Sequence, residues 1–230
     1  MKAFNPKDFK LIITSGSTRE WIDPVRFISN PSSGKTGFLL AQEGVNIYRE
    51  TVYIAGYTEK EFKSVKKAKN ISVDNTESMA EAVFQELDHN TILIMAAAPA
   101  DYTPKITSDI KIKKQEKEVL LTLIPTIDIL KTIGNQKLSH YNKLILVGFA
   151  AETNHIKEHA IEKLNKKNAH FICANQVYKS QAGFGHVDNA VVIFDKWNQE
   201  ITIGPISKDV LCKKILEYLN QRIAEVFDRI

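Results

Sequence analysis

The sequence predicts a doubly wound α/β fold with a mainly parallel sheet, and two observations carry that reading. Short apolar runs alternate with helical patterns over most of the 230 residues. Such alternation argues for βαβ units whose right-handed crossovers place helices on both faces of a parallel sheet. Polar, glycine-containing or small-residue segments follow several of the runs, where such sheets hold their ligands.

In chain order, Leu11–Thr14, Thr51–Ile54, Ile71–Val73, Ile92–Ala96, Leu144–Gly148 and His170–Cys173 read as strands. Helical stretches lie near 36–48, 76–88, 126–139 and 155–167, so each pair of strands makes a right-handed crossover. Two segments break the alternation. Residues 110–124, IKIKKQEKEVLLTLI, read as two short strands around a charged turn, an antiparallel arm or flap reaching from about 104 to 124. Residues 189–203 read as a hairpin, Ala190–Phe194 and Ile201–Ile203, turning at Trp197–Asn198. An amphipathic helix over 207–228 closes the chain, with Val210, Leu211, Ile215, Leu219, Ile223 and Phe227 on one stripe. No repeat, low-complexity tract or linker divides the sequence, so one domain over 1–230 is expected.

Composition excludes several classes. With 43% hydrophobic and 25% charged residues, disorder and collagen-like structure are out. A net charge of +4 suits a protein that handles anionic small molecules and is too weak to argue for nucleic acid. The lysine-rich stretch 60–69 reads as a solvated surface. Cys173 and Cys212 have no metal-type spacing and read as buried thiols. No run reaches eighteen apolar residues and MKAFNPKDFK has no apolar signal region. No membrane association and a cytoplasmic setting are expected.

The segment 12–37, between the first strand and first helix, holds the densest polar chemistry. It supplies Gly16, Gly34, Gly37, several hydroxyls, Arg19, Arg26 and Asn30, where such connections take roughly two to six residues. Gly34-Lys35-Thr36 resembles the end of a P-loop, but Ser29 stands where its first glycine is needed. The glycine spacing of a dinucleotide fingerprint is absent after Gly16 as well. Ser32, Ser33, Gly34 and Gly37 still open a helix whose free N–H groups favour an anion. Spacing alone leaves a phosphate site and a ligand-free Ser-Ser-Gly cap both open. Met95–Asp101, MAAAPAD, is either a close approach of backbone to ligand, with Asp101 binding it, or a tight turn. Lys111, Lys113 and Lys114 on the arm are either solvated or able to neutralise polyphosphate. His155 and His159 are four apart, without a third ligand in view, and read as a surface pair.

Seven blocks occur in one order: TSGSTREWIDPVRFISNPSSGKTG, AAAPADYTP, KIKK, DIL, VGFAAET, CANQV and FGHVDN. Together, over about residues 10–195, they closely resemble phosphopantothenoylcysteine synthetase of coenzyme A biosynthesis. The resemblance implies a Rossmann-like fold and a ligase that joins phosphopantothenate to cysteine. Bacterial members of that family typically use CTP through an acyl-cytidylate, releasing pyrophosphate and then CMP; eukaryotic members use ATP. Mg²⁺ accompanies the triphosphate, so no metal ligands of the chain's own are required. Members are homodimers with a shared site, often fused behind a flavin-dependent decarboxylase. Because nothing precedes residue 10 here, a stand-alone synthetase with a separate decarboxylase is expected.

By similarity, Gly16, Ser32, Gly34 and Gly37 would cradle the nucleotide phosphates, and Phe149 and Asn175 would seat the nucleotide. Asn30, Ala97, Ala98 and Asp101 would hold phosphopantothenate, with Arg26 reaching in from the neighbouring subunit. Asn30, Lys111 and Arg26 would be catalytic, Lys111 riding on the flap. Three positions depart from the family pattern: Ser17 for a frequent glycine, Thr36 for methionine and Pro99 for valine. KIKK favours CTP by similarity. An ATP-using version of the same ligase and a Rossmann-like dinucleotide-binding domain are the alternatives.

Overall fold

The computed structural model describes residues 3–114, 116–136, 143–152, 155–176 and 189–230. Six parallel strands form the centre of its main sheet: β1 (Lys10–Ser15), β4 (Glu50–Ala55), β5 (Lys69–Ser72), β6 (Asn90–Met95), β9 (Lys143–Glu152) and β10 (Phe171–Gln176). β11 (Asn189–Asp195) and β12 (Glu200–Ile206) extend it antiparallel as a hairpin. The order is β5-β4-β1-β6-β9-β10-β11-β12. Numbered among themselves, the parallel strands run 3-2-1-4-5-6, the doubly wound order of the Rossmann-like folds. The order reverses between β1 and β6, so a crevice is expected beyond their carboxyl ends.

Burial explains the apolar runs. Leu11, Ile13, Tyr53, Ile92 and Ile94 face one core with α1 (Lys35–Ile47) and α5 (Lys208–Val226). Ile12, Val52, Ile54 and Leu93 face another with α2 (Thr76–Glu86), α3 (Ile129–Asn135) and α4 (Ile156–Lys166). Both cysteines are buried, as expected, and burial raises both thiol pKa values, that of Cys212 to about 12. The lysines between 60 and 69 are exposed, with Phe62 and Val65 turned inward.

Three expectations need correction. The helix expected over 126–139 begins only after Asp128, whose side chain accepts from the Lys131 N–H; residues 137–142 lie outside the described ones. The arm is paired elsewhere: β7 (Tyr102–Pro104) meets β8 (Leu123–Pro125), and the described residues between them contain no strand. The alternating IKIK pattern forms no strand, and Ile110 is 77% exposed. Third, the polar connection after β1 contains an unexpected hairpin, β2 (Glu20–Asp23) with β3 (Arg26–Ile28). Asp23 builds its turn by accepting the Val25 and Arg26 N–H groups across Pro24.

That hairpin is anchored on α2. Glu20 accepts from the Thr76 N–H and hydroxyl at the helix start, where a carboxylate complements the dipole. Trp21 donates to Asp74. The Arg19 guanidinium lies 3.7 Å from the Tyr57 ring centroid and 4.6 Å from that of Phe27, tying β3 to the end of β4.

Candidate active site

The carboxyl ends of β1, β4 and β6 are stitched together by backbone hydrogen bonds. Ser17 exchanges bonds with Tyr57, and the Ala98 N–H donates to the Gly16 carbonyl at 2.8 Å. Gly16 makes this possible: its φ is +76°, and a Cβ there would lie 2.3 Å from the Tyr57 carbonyl oxygen. Ser17, where the family often has glycine, needs no left-handed backbone; its hydroxyl instead accepts from Ser29.

Asn30 follows β3 and lies over the Ala97–Asp101 turn. Its Nδ2 donates to the Pro99 carbonyl at 2.9 Å and approaches that of Ala98 at 3.5 Å. The substitution of proline for valine at 99 therefore leaves intact the carbonyl that Asn30 uses. The second Nδ2 hydrogen of exposed Asn30, only weakly engaged by the Ala98 carbonyl, can donate to a ligand, and its amide oxygen can accept. Below the turn, Ala100 donates to Thr18 and accepts from Thr126, so its backbone is fixed from both sides.

Beside this turn lies the N-terminus of α1. The residue before the helix is Gly34, which has no side chain to cap it, and the Ser33 hydroxyl accepts from the Lys35 N–H at 3.3 Å. The Gly34 carbonyl accepts from the Ser15 hydroxyl and the Phe38 N–H. Gly37 lets the helix sit close to β1, since a Cβ would lie 2.6 Å from Ser15 Cβ. A cavity of about 240 Å³ opens here, lined by Pro31–Gly37, Ala96 and Lys208. Lys208 comes from the start of α5, far away in sequence. Burial lowers its pKa below the ordinary lysine value, with Lys35 adding repulsion. A helix N-terminus facing two lysines is an electrostatic trap for an anion.

A second cavity, of about 170 Å³, lies on the other side of Ala97. Ala97, Pro99, Asp101 and Phe149 line it, together with Asp128, Lys163 and Lys167. Lys167 pairs with Asp128 at 3.0 Å. Sequence reading missed Lys163, Lys167 and Lys208. The first two carried a signal, the i, i+4 spacing that brings Lys163 of α4 and Lys167, the residue that ends it, to one side.

Gly16, Asn30, Ser32, Gly34, Gly37, Ala97, Ala98, Asp101 and Phe149 thus gather around the switch point. Two expected residues, Asn175 and Lys111, do not join them among the described contacts, and Arg26, expected to reach a neighbouring subunit, lies elsewhere on this chain. Asn175 sits half-buried on β10, opposite Ala151, and lines neither cavity. Lys111 is exposed on the arm. Arg26 pairs with Asp23 and donates to the Ile112 carbonyl, lining an apolar groove of about 790 Å³ beneath the arm. Residues 184–188 of the FGHVDN block and Val177 of CANQV fall outside the described residues.

Over residues 7–223 the chain matches the DNA/pantothenate metabolism flavoprotein C-terminal domain family. It is 41% identical over 207 residues to the coenzyme A biosynthesis bifunctional protein CoaBC of Bacillus subtilis (strain 168), covering 90% of this chain and 50% of that one. The protein of the same name from Vibrio vulnificus (strain CMCP6) is 36% identical over 222 residues, covering 94% and 54%. The chain spans about half the length of these curated relatives. The crystal structure of a C-terminal domain of CoaBC superposes with a TM-score of 0.78 at 33% identity, covering 98% of this chain and all of that one. A Cab2 mutant in complex with phosphopantothenate-cysteine shares the fold, with a TM-score of 0.69 at 14% identity over 97% of this chain and 90% of that one. The chain belongs to the DNA/pantothenate metabolism flavoprotein C-terminal domain family, in keeping with the resemblance to phosphopantothenoylcysteine synthetase carried by its sequence blocks.

Proposed function

We propose that this chain is a phosphopantothenate–cysteine ligase that uses CTP in coenzyme A biosynthesis. The observation that carries the reading is the juxtaposition of Asn30, held on the Ala98–Pro99 turn, with the anion trap at the N-terminus of α1. A carboxylate substrate on the first and nucleotide phosphates on the second would meet at the switch point.

In this reading the carboxylate oxygen attacks the α-phosphorus, pyrophosphate leaves, and the cysteine amine then displaces CMP from the acyl carbon. The α1 N-terminus, Lys35 and Lys208 offset repulsion between the reacting anions. Ser32, Gly34 and Gly37 line the phosphate cavity, Gly16 holds the turn beside it, and Phe149 and Asn175 seat the nucleotide. Ala97, Ala98 and Asp101 contact phosphopantothenate, and Asn30 donates to an oxygen of the acyl-cytidylate. Lys111 closes over the nucleotide with the arm and shields the mixed anhydride from water. Mg²⁺ would enter with the triphosphate and neutralise part of its charge; a cavity rich in N–H donors and lysines suits phosphate-held metal better than a carboxylate cage.

Incubation with phosphopantothenate, cysteine and Mg²⁺, with CTP or ATP in parallel, tests the reading. Phosphopantothenoylcysteine and pyrophosphate with CTP, and little of either with ATP, are expected. Product with neither nucleotide would overturn it.

The arm also supports a homodimer. Ile106, Ile110, Val119 and Leu120 are between 64% and 93% exposed, and Val25 and Phe27 extend the apolar surface. A second copy covering this patch would bring Arg26 to the neighbouring site. Light scattering should give a dimer for the wild type and a monomer for Leu120→Asp; a monomeric wild type would refute the assembly. The setting is proposed to be cytoplasmic, with a decarboxylase as a partner activity and neither nucleic acid nor membrane involved; among the described residues no helix is long and apolar enough to cross a membrane.

A further inference from the structure

We propose that Asp23 is a positioning residue for this reaction, one buried carboxylate that fixes both the Arg26 guanidinium and the arm segment carrying Lys111. The proposal rests on the ligase reading for the roles of those two cations.

The two oxygens of Asp23 have separate tasks. Oδ1 accepts the Val25 and Arg26 N–H groups, each at 2.9 Å, and this alone builds the β2–β3 turn. Oδ2 accepts from Arg26 Nε at 3.0 Å, from Arg26 Nη2 and from the Ile112 N–H at 3.1 Å. Arg26 Nη2 donates in turn to the Ile112 carbonyl at 2.9 Å. The ion pair therefore captures both main-chain groups of Ile112, those a strand would have paired. Among the described residues, the other hydrogen bonds of 109–114 to the rest of the chain are local, between Ile110 and the Ser108 hydroxyl, so the Ile112 contacts are the long-range ones. Lys111 is the adjacent residue.

Burial makes the arrangement stiff. The Asp23 side chain is 0% exposed and that of Arg26 49%. The Arg26 guanidinium and the backbone N–H groups hold the Asp23 carboxyl well below the usual carboxylate range. With Nε and Nη2 engaged on the buried side, Nη1 is left at the exposed end of a fixed fork, where an anion can meet it. An Asp23 that served only the turn would leave Oδ2 unused.

Asp23→Asn separates the two tasks. One carbonyl oxygen remains for the turn, while an NH₂ group replaces Oδ2 and faces Arg26 Nε and the Ile112 N–H. Ile112→Pro deletes the same contact from the arm side by removing the donor. The full chain would be followed by limited trypsin digestion with mass detection at Lys105, Lys113 and Lys114 in both variants, and at Lys111 in Asp23→Asn alone because trypsin does not cut before the proline of Ile112→Pro, and by steady-state kinetics with phosphopantothenate, cysteine, Mg²⁺ and CTP. Loss of a hydrogen bond to a charged group predicts arm cleavage faster by about ten-fold in both variants, with cuts elsewhere unchanged. For Asp23→Asn, the CTP KM should rise and kcat fall while the cysteine KM holds. Adding Arg26→Ala should lower kcat/KM little further, since both changes act through one node. Wild-type arm cleavage, losses that add independently, or cleavage raised evenly along the chain would each overturn the positioning role. A wild type without turnover would overturn the ligase reading, whereas arm digestion would still report whether Asp23 holds Ile112.

Discussion

Replacing Asn30 by aspartate keeps the side chain's shape and inverts its chemistry at the point where the two halves of the site meet. The Nδ2 that donates to the Pro99 carbonyl at 2.9 Å becomes an anionic oxygen facing that carbonyl, with the Ala98 carbonyl 3.5 Å away. The lost neutral hydrogen bond is worth about 0.5–1.5 kcal/mol. Because Asn30 is exposed, the new repulsion is screened. A total near 2 kcal/mol is small beside the roughly 5–15 kcal/mol that holds a domain together, so the variant should fold. Its effect on chemistry is larger. Removing a donor aimed at developing charge slows the step it serves by about 10²–10³-fold. In the proposed reaction that step is discharge of the acyl-cytidylate by cysteine; its formation, which the α1 N-terminus and its lysines would support, should slow by about ten-fold or less. Rapid-quench single turnover with labelled CTP separates the two, and the acyl-cytidylate should accumulate in Asn30→Asp. Discharge at the wild-type rate would refute the role of Asn30. Equal slowing of both steps would refute it too, by reducing Asn30 to a pin for the turn.

Lys208→Gln should raise the CTP KM by about ten-fold, the value of a charge-assisted hydrogen bond, and leave the cysteine KM unchanged; an unchanged CTP KM would remove Lys208 from the phosphate site. Arg222→Ala should destabilise the protein by about 2–4 kcal/mol in urea denaturation, because it strands the fully buried Asp195 carboxylate that also accepts the Trp197 and Gln199 N–H groups. Stability should also fall with acid through His170, whose pKa burial and then Lys196 lower to about 4 from an ordinary 6.5. His170 Nδ1 accepts the Leu146 N–H, so the neutral ring is the folded form. The unfolded chain binds the proton first, and the contribution, complete above about pH 6.5, is lost as pH falls toward 4, by roughly 3 kcal/mol. His170→Asn should flatten that part of the pH–stability curve; an identical slope would assign it to other groups.

The central sheet was legible because its strands are buried on both faces, so Leu11–Ile13 and Ile92–Ile94 read as unbroken apolar runs. Ala97–Asp101 and the serines and glycines of 32–37 stood out as candidate positions because small and polar residues at a strand end or a helix start let a backbone approach closely, although a tight turn and a ligand-free cap read equally well there. The β2–β3 hairpin was hidden because Glu20, Trp21 and Asp23 bond to side chains and backbone far away in sequence rather than patterning an apolar face. The arm misled in the opposite sense. IKIK alternates as a strand does, yet Ile112 gives its backbone groups to Asp23 and Arg26. Lys208 could not be placed from sequence, since only the packing of α5 on α1 brings it beside the helix N-terminus.

The central claim is that the substrate carboxylate is activated by the α-phosphate held at the α1 N-terminus. Phosphopantothenate labelled with oxygen-18 in its carboxylate tests it directly, with cysteine, Mg²⁺ and CTP and mass analysis of the products. One labelled oxygen should appear in CMP and none in pyrophosphate, because the carbon–oxygen bond breaks when cysteine displaces the nucleotide. Label in inorganic phosphate, or label retained wholly in the substrate, would contradict the account.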